Sequence, residues 1–202
     1  MKLLLASNNP GKLAELSALL RSPRLDLVTP AEIGLALEVE EDGTTYAENA
    51  AKKARAFALA SSFTAMADDT GLEVDALDGA PGLHSKRFAG RNYGSDAERR
   101  AALLQVLTPS PRPWRARFHA TLAVATPDAV IRFAEGYCEG EIIPQERGTG
   151  GFGYDSIFLV EGLERTMAEL PMEEKNRVSH RARAALAAGP ILAELAASVR
   201  GG

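Results

Sequence analysis

The sequence predicts an α/β protein built on a mixed sheet, and two observations carry that reading. Apolar runs of strand length alternate with helix-patterned stretches through the first half, the order that parallel neighbours require. In the second half two long alternating runs follow one another across a short polar turn, as antiparallel neighbours do. A chain of 202 residues, 46% hydrophobic and 25% charged, is long enough for one large domain or two small lobes sharing a core.

Lys2 to Ala6 reads as a buried strand feeding a helix from about Pro10 to Leu20. Asn9 caps that helix, Pro10 suits its first turn, and Leu13, Leu16, Leu19 and Leu20 recur at helical spacing. Asp26 to Thr29 is a second short strand, followed by an acidic loop with Glu38, Glu40, Glu41 and Asp42. Thr45-Tyr46-Ala47-Glu48 is a capping-box pattern ahead of a helix to about Ser62, with Ala50, Ala54, Phe57 and Ala58 on one side. Thr64 to Ala67 is a strand that Asp68-Asp69-Thr70-Gly71 interrupts, and Leu72 to Ala76 is its continuation or a hairpin partner. Gly79 to Gly82 reads as loop, and Ser95-Asp96-Ala97-Glu98 as a second capping box opening a helix to about Leu107. Pro109, Pro111 and Pro113 mark a break between the two halves. Beyond it, Arg115 to Thr126 and Val130 to Glu139 form the antiparallel pair, a glycine-bearing loop runs from Pro144 to Gly153, and Ser156 to Val160 is the last strand. Two helices, roughly Ser179 to Ala188 and Pro190 to Val199, close the chain.

Composition narrows the function. The single cysteine, Cys138, excludes an intramolecular disulfide or a multi-cysteine metal site and fits a reducing compartment. A net charge of -4 argues against a general nucleic-acid-binding surface, though not against a small phosphate pocket. No apolar run approaches the roughly 18 residues of a membrane span, and the opening apolar run is too short for a signal peptide. A soluble cytoplasmic protein with neither a membrane nor a nucleic-acid partner is expected.

Four segments can carry chemistry. Ser7-Asn8-Asn9-Pro10-Gly11-Lys12 stands where a strand end meets a helix N-terminus, a place for an anion or simply a capped turn. It is no Walker A loop, with Ala6 at the first glycine position and Leu13 where Ser or Thr must stand. Asp68-Asp69 at a strand end suits a hard cation, or an ordinary surface turn. Gly148 to Asp155 satisfies G-x-G-x-x-G but precedes a strand, so a dinucleotide fingerprint is rejected. It reads instead as a flexible arm placing Phe152 or Tyr154 against a flat ligand with Asp155 as acceptor, or as core aromatics beside a bend. Lys175 to Arg183 is a cationic strip in which Ser179 can cap a helix carrying His180 and Arg181, or a solvated basic face. His84, His119 and His180 lack zinc-ligand spacing, and no serine or cysteine nucleophile pattern is present.

In this order the four segments resemble the inosine/xanthosine triphosphate pyrophosphatase family. The carriers are S-x-N-x-x-K at Ser7, Asn9 and Lys12, A-D-D-T-G-L at Ala67 to Leu72, G-G-F-G-Y-D at Gly150 to Asp155 and E-K-N-x-x-S-H-R at Glu174 to Arg181, with G-A-P-G at Gly79 to Gly82. Asn8, where many members have Gly, is the main departure. The resemblance implies a long mixed sheet flanked by helices in a single domain over residues 1–202, with two lobes and an active-site cleft between them. It implies Mg²⁺ held by Asp69, Asp68 and a glutamate of the acidic loop, Glu40, with Asp69 also the general base. By the same resemblance Ser7, Asn8, Asn9, Pro10, Gly11, Lys12, Thr70 and Lys175 hold the triphosphate, Phe152, Gly153, Tyr154, Asp155, His180 and Arg181 hold the purine, and the protein is a homodimer.

The implied reaction is hydrolysis of ITP, dITP or XTP to the monophosphate and pyrophosphate by attack of water at the α-phosphorus, with Mg²⁺, Lys12 and Lys175 screening the phosphate charge. A cationic donor such as Arg181 rewards a 6-oxo group and mismatches adenine. Two other readings stand beside it: a nucleotide-binding regulatory protein, and a house-cleaning pyrophosphatase for modified pyrimidine nucleotides.

Overall fold

A computed structural model describes residues 1–88 and 94–198. The strands are β1 (Lys2–Leu5), β2 (Asp26–Val28), β3 (Thr64–Val74), β4 (Pro81–Gly82), β5 (Trp114–Ala125), β6 (Ile131–Ile142) and β7 (Phe158–Val160). The helices are α1 (Pro10–Leu19), α2 (Tyr46–Ser61), α3 (Asp96–Leu107), α4 (Met172–Val178) and α5 (His180–Ser198). The sheet runs β2-β1-β3-β5-β6-β7, with β4 on β3. β1 is parallel to β2 and β3, with Leu4 opposite Val28 and Ala65, while β3–β4 and β6–β7 are antiparallel. β5 and β6 are sheet neighbours joined only by residues 126–130, too short for a parallel crossover. The mixed sheet expected from the sequence is therefore present.

The chain divides into two compact units, Met1–Asp69 with Ala120–Gly136 and Arg181–Gly202, and Thr70–His119 with Tyr137–His180. In the first, strand alternation sorts side chains onto two faces. Leu3, Leu5, Met66, Ala120, Leu122 and Val124 pack with Leu16 of α1 and Ala184, Ala188 and Leu192 of α5. Leu4, Ala65, Ala67, Ala123 and Ala125 pack with Ala50, Ala54, Phe57 and Ala58 of α2. The second unit has its own core, in which Leu103 and Leu107 of α3 meet Leu72, Trp114, Phe118, Ile142, Ile157 and Phe158. Among the described residues no helix is long and apolar enough to cross a membrane.

Four local expectations change. Asp68-Asp69-Thr70-Gly71 does not interrupt a strand: β3 runs through it for 11 residues, because the carboxylates find partners on both faces. Gly79 to Gly82 contains a short strand, Pro81 and Gly82 pairing with Glu73 and Leu72. A helical turn, α4, precedes α5, with Ser179 in extended backbone closing α4. α5 continues past Pro190, which lies on the solvent face beside exposed Leu186 and Gly189, while the buried stripe Ala184, Ala185, Ala188, Leu192 and Ala196 carries on beneath it. Val199, the expected end of that helix, lies outside the described residues. The proline run at 109–113 connects α3 to β5, both within the second unit.

Candidate active site

The site residues expected from the sequence fall into two groups, one in each unit. In the first unit β1 delivers the chain to the Ser7–Lys12 loop. Asn9 caps α1 by accepting from the N–H groups of Gly11 (2.9 Å) and Lys12 (3.2 Å), and its own N–H donates to Ser7 Oγ at 3.2 Å. Pro10 offers no N–H, and Asn8 sends its amide to the Leu37 carbonyl at 3.2 Å. Much of the loop's donor capacity is thus spent on its own shape. What remains at the loop is the positive end of α1, while the Lys12 side chain turns in toward Asp68.

Asp68 and Asp69 are successive residues of β3 and so face opposite sides of the sheet. On the α1/α5 side, Asp68 Oδ2 lies 3.1 Å from Lys12 Nζ and accepts from Arg181 Nε at 3.1 Å, and Arg181 Nη1 also donates to Glu15. Arg181 is 1% exposed and Asp68 2%. Burial alone would raise the Asp68 carboxyl, but Lys12 and Arg181 outweigh it and hold it well below the usual carboxylate range. The Lys12 ammonium is lowered, by burial that Asp68 offsets only in part.

On the α2 side, Asp69 Oδ2 accepts from Asn49 Nδ2 at 3.0 Å, and Asn49 Oδ1 accepts from the Gly43 N–H at 2.8 Å. Lys53, one turn on from Asn49, places Nζ 2.5 Å from Glu41 Oε1, 2.7 Å from the Asp68 carbonyl and 3.6 Å from Asp69 Oδ1. Burial raises the Asp69 carboxyl above its ordinary value despite Lys53 and Lys12, the direction that suits a proton acceptor. The helix start here is half a capping box: Thr45 accepts from the Glu48 N–H, while the Glu48 carboxylate turns to Thr44. Glu40 is exposed, and Glu41 is the acidic-loop residue that Lys53 ties to the β3 carboxylates.

Among the described residues, no group of three or more His, Cys, Asp or Glu side chains is gathered closely enough to hold a metal. The oxygens of Glu41, Asp69 and the Asp68 carbonyl around Lys53 Nζ are nevertheless the hard donors that magnesium takes. The donor chemistry fits a divalent cation, with the Lys53 ammonium at its centre.

In the second unit the glycine arm ends on a buried ion pair. Asp155 Oδ2 accepts from Lys175 Nζ at 2.7 Å and from the Phe152 N–H at 3.0 Å, and Lys175 Nζ stands 5.4 Å from the centre of the Phe152 ring. Gly151, at φ +73°, is required by this packing, since a Cβ there would meet Asp155 Oδ2 at 2.0 Å. The two aromatics differ. Tyr154 is buried and its hydroxyl donates to the Ser85 carbonyl at 2.8 Å, whereas Phe152 is half-buried. Tyr154 therefore anchors the arm, and burial drives its phenol well above its ordinary value. His180 is buried and stacks on Phe118, with centroids 4.7 Å apart. Thr70 is half-buried in β3.

The sequence matches the Ham1 family over residues 3–189. The chain belongs to the Ham1 family. It is 49% identical over 196 residues to a dITP/XTP pyrophosphatase of Desulforamulus reducens, covering 96% of this chain and 97% of that protein. It is 42% identical to a dITP/XTP pyrophosphatase of Bacillus subtilis, covering 89% and 90%. A Ham1 protein of Coxiella burnetii superposes with a TM-score of 0.82 at 38% identity over all of both chains. A dITP/XTP pyrophosphatase of Mycobacterium abscessus does so with a TM-score of 0.74 at 43% identity, covering 94% and 100%.

Set in the Ham1 family, the structure adds Glu15, Asn49, Lys53 and Glu41 to the residues that the motifs picked out. Glu15, Asn49 and Lys53 had a visible signal. Asn49 and Lys53 interrupt the apolar stripe of α2 at a spacing of four residues, and Glu15 lies beside Leu16 on the face of α1 that is buried.

Proposed function

We infer that this Ham1 chain is a nucleoside triphosphate pyrophosphohydrolase acting on non-standard purine nucleotides, dITP, XTP and ITP. One observation carries the chemistry: the Asp69 carboxylate is fixed in β3 by the Asn49 amide at 3.0 Å, with the Lys53 ammonium 3.6 Å away. The names of the relatives supply the substrate class.

In this reading water attacks the α-phosphorus, Asp69 accepts its proton, and the bond from the α-phosphorus to the bridging oxygen breaks to release pyrophosphate. Lys12 and the positive end of α1 offset the triphosphate charge, with Ser7, Asn8, Asn9 and Thr70 shaping the loop and strand around it. Asp69 with Glu41 or Glu40 would hold Mg²⁺, which when bound supplies charge neutralisation to the phosphates. Asp68, already matched by Lys12 and Arg181, is the counter-ion that keeps both cations in place.

Phe152 would stack on the purine and Asp155, set by Lys175, would accept from a ring N–H. His180 and Arg181 would supply donors to the 6-oxo group that distinguishes hypoxanthine and xanthine from adenine. In this reading Lys175 acts on the base through its bond to Asp155, whereas the family resemblance implies a contact with the triphosphate. Homodimerisation, general to the resemblance, is part of the proposal.

Pyrophosphate release across ITP, XTP, dITP, GTP, ATP and dUTP, with and without Mg²⁺, tests the reading. We expect kcat/KM for the first three to exceed that for ATP by about 10²-fold or more, as a site built for one hydrogen-bonding pattern rejects its opposite. Equal turnover of all six contradicts the specificity, preference for dUTP favours the pyrimidine enzyme, and no release favours a regulatory binding protein.

A further inference from the structure

We propose that Asp96 and Arg100, on the first turns of α3, are positioning residues that set the purine-binding arm; this rests on the base-binding role given above to Phe152 and Asp155. The arm holds Gly148, Gly150, Gly151 and Gly153, so ordering it costs more conformational entropy than ordering an ordinary loop. Something must hold it.

α3 does so at one residue from both sides. Asp96 Oδ2 accepts from the Gly153 N–H at 2.7 Å, and Arg100 Nη1 donates to the Gly153 carbonyl at 2.9 Å. Gly153, at φ +64°, directly follows Phe152, so fixing both of its polar backbone groups fixes where the Phe152 ring can lie. Asp96 and Arg100 are four residues apart and share a helix face.

Neither side chain is needed to start the helix. Ser95 and Glu98 form a complete capping box without them. Arg99 instead donates to Asp96, orienting its carboxylate. Arg100 also pairs with Glu146 at 2.8 Å, and Glu146 accepts from Ser156 at 3.1 Å, so the same arginine braces the chain on both flanks of the arm. The backbone bond from the Gly150 N–H to the Ala168 carbonyl fixes the other end.

The role assigned to α3 is remote control of purine affinity. Its test is steady-state ITP hydrolysis and equilibrium binding of inosine monophosphate by the full-length wild type and by Asp96→Ala, Asp96→Asn, Arg100→Met and Arg100→Lys. Asp96→Ala and Arg100→Met should raise KM and the dissociation constant about tenfold, the scale of one charge-assisted hydrogen bond, with kcat changed less than about threefold. Asp96→Asn, which keeps an oxygen acceptor, should recover most of the loss. Unchanged KM and affinity in both truncations, a fall in kcat alone, or an Asp96→Asn as impaired as Asp96→Ala would overturn the positioning role while leaving the wild-type activity standing. A wild type that neither binds inosine monophosphate nor hydrolyses ITP overturns the base-binding reading itself, and this inference with it.

Discussion

Asn49 donates to Asp69 and at the same time accepts from the Gly43 N–H, so one buried amide joins the β3 carboxylate to the acidic loop. The amide is oriented by both bonds at once: its nitrogen must face Asp69 and its oxygen Gly43. The carboxylate of Asp69 is consequently held in one rotamer before any substrate arrives, which is what a proton acceptor requires.

Replacing that acceptor should separate chemistry from folding. Asp69→Asn keeps the shape and loses the base, so kcat is expected to fall roughly 10²- to 10⁴-fold with little change in thermal midpoint. Pyrophosphate release and a circular-dichroism melt on the same sample check it. A near-normal kcat would remove Asp69 from the role.

Asn49→Leu should act on both neighbours. It leaves the half-buried Gly43 N–H without its acceptor and the buried Asp69 without its donor, a loss of about 1–3 kcal/mol in unfolding free energy. Urea unfolding measures it, and a variant as stable as wild type would show that water replaces the amide without cost.

The Glu15–Arg181–Asp68 network predicts a larger effect. Arg181→Met takes the guanidinium from buried Glu15 and leaves Asp68 with Lys12 as its remaining ion pair, and should cost about 3–5 kcal/mol, whereas the double variant Arg181→Met/Glu15→Gln should recover part of that loss. If the double variant is no more stable than the single one, the penalty does not arise from the Glu15 charge.

Acid should expose the same network. Asp68 is held ionised in the folded state, so its contribution is full above the unfolded carboxyl value of about 4 and is lost progressively as pH falls below it. Asp69, raised by burial, contributes with the opposite sign: its term favours the folded state below that value and fades as pH rises. The wild type should therefore lose stability between about pH 5 and 3 more steeply than Asp68→Asn does, and less steeply than Asp69→Asn. Urea midpoints at the two pH values decide this, and identical slopes in all three would contradict it.

Local signals in the sequence carried much of the fold. Asn9, Thr45 and Ser95 cap the helices expected of them, and β5 and β6 lie where two strands were expected, although β5 alternates only over its first half and is buried on both faces from Ala120 on. Pro190 misled because a helix tolerates proline where the broken hydrogen bond faces water, and nothing local says which face that is. The motifs located the site residues, but pairing between distant residues was out of reach. Arg181 meets partners 113 and 166 residues away, and Lys175 meets Asp155 rather than standing alone in a basic strip. The two carboxylates of Asp68-Asp69 looked equivalent in a turn. The strand that runs through them sends one to a buried ion network and the other to an amide and a lysine.

The central claim is water attack at the α-phosphorus of a 6-oxopurine nucleotide, and hydrolysis of ITP in ¹⁸O-labelled water tests it most directly. The account predicts label in inosine monophosphate and none in pyrophosphate. Label in pyrophosphate, or inosine diphosphate with labelled phosphate as the products, would contradict it.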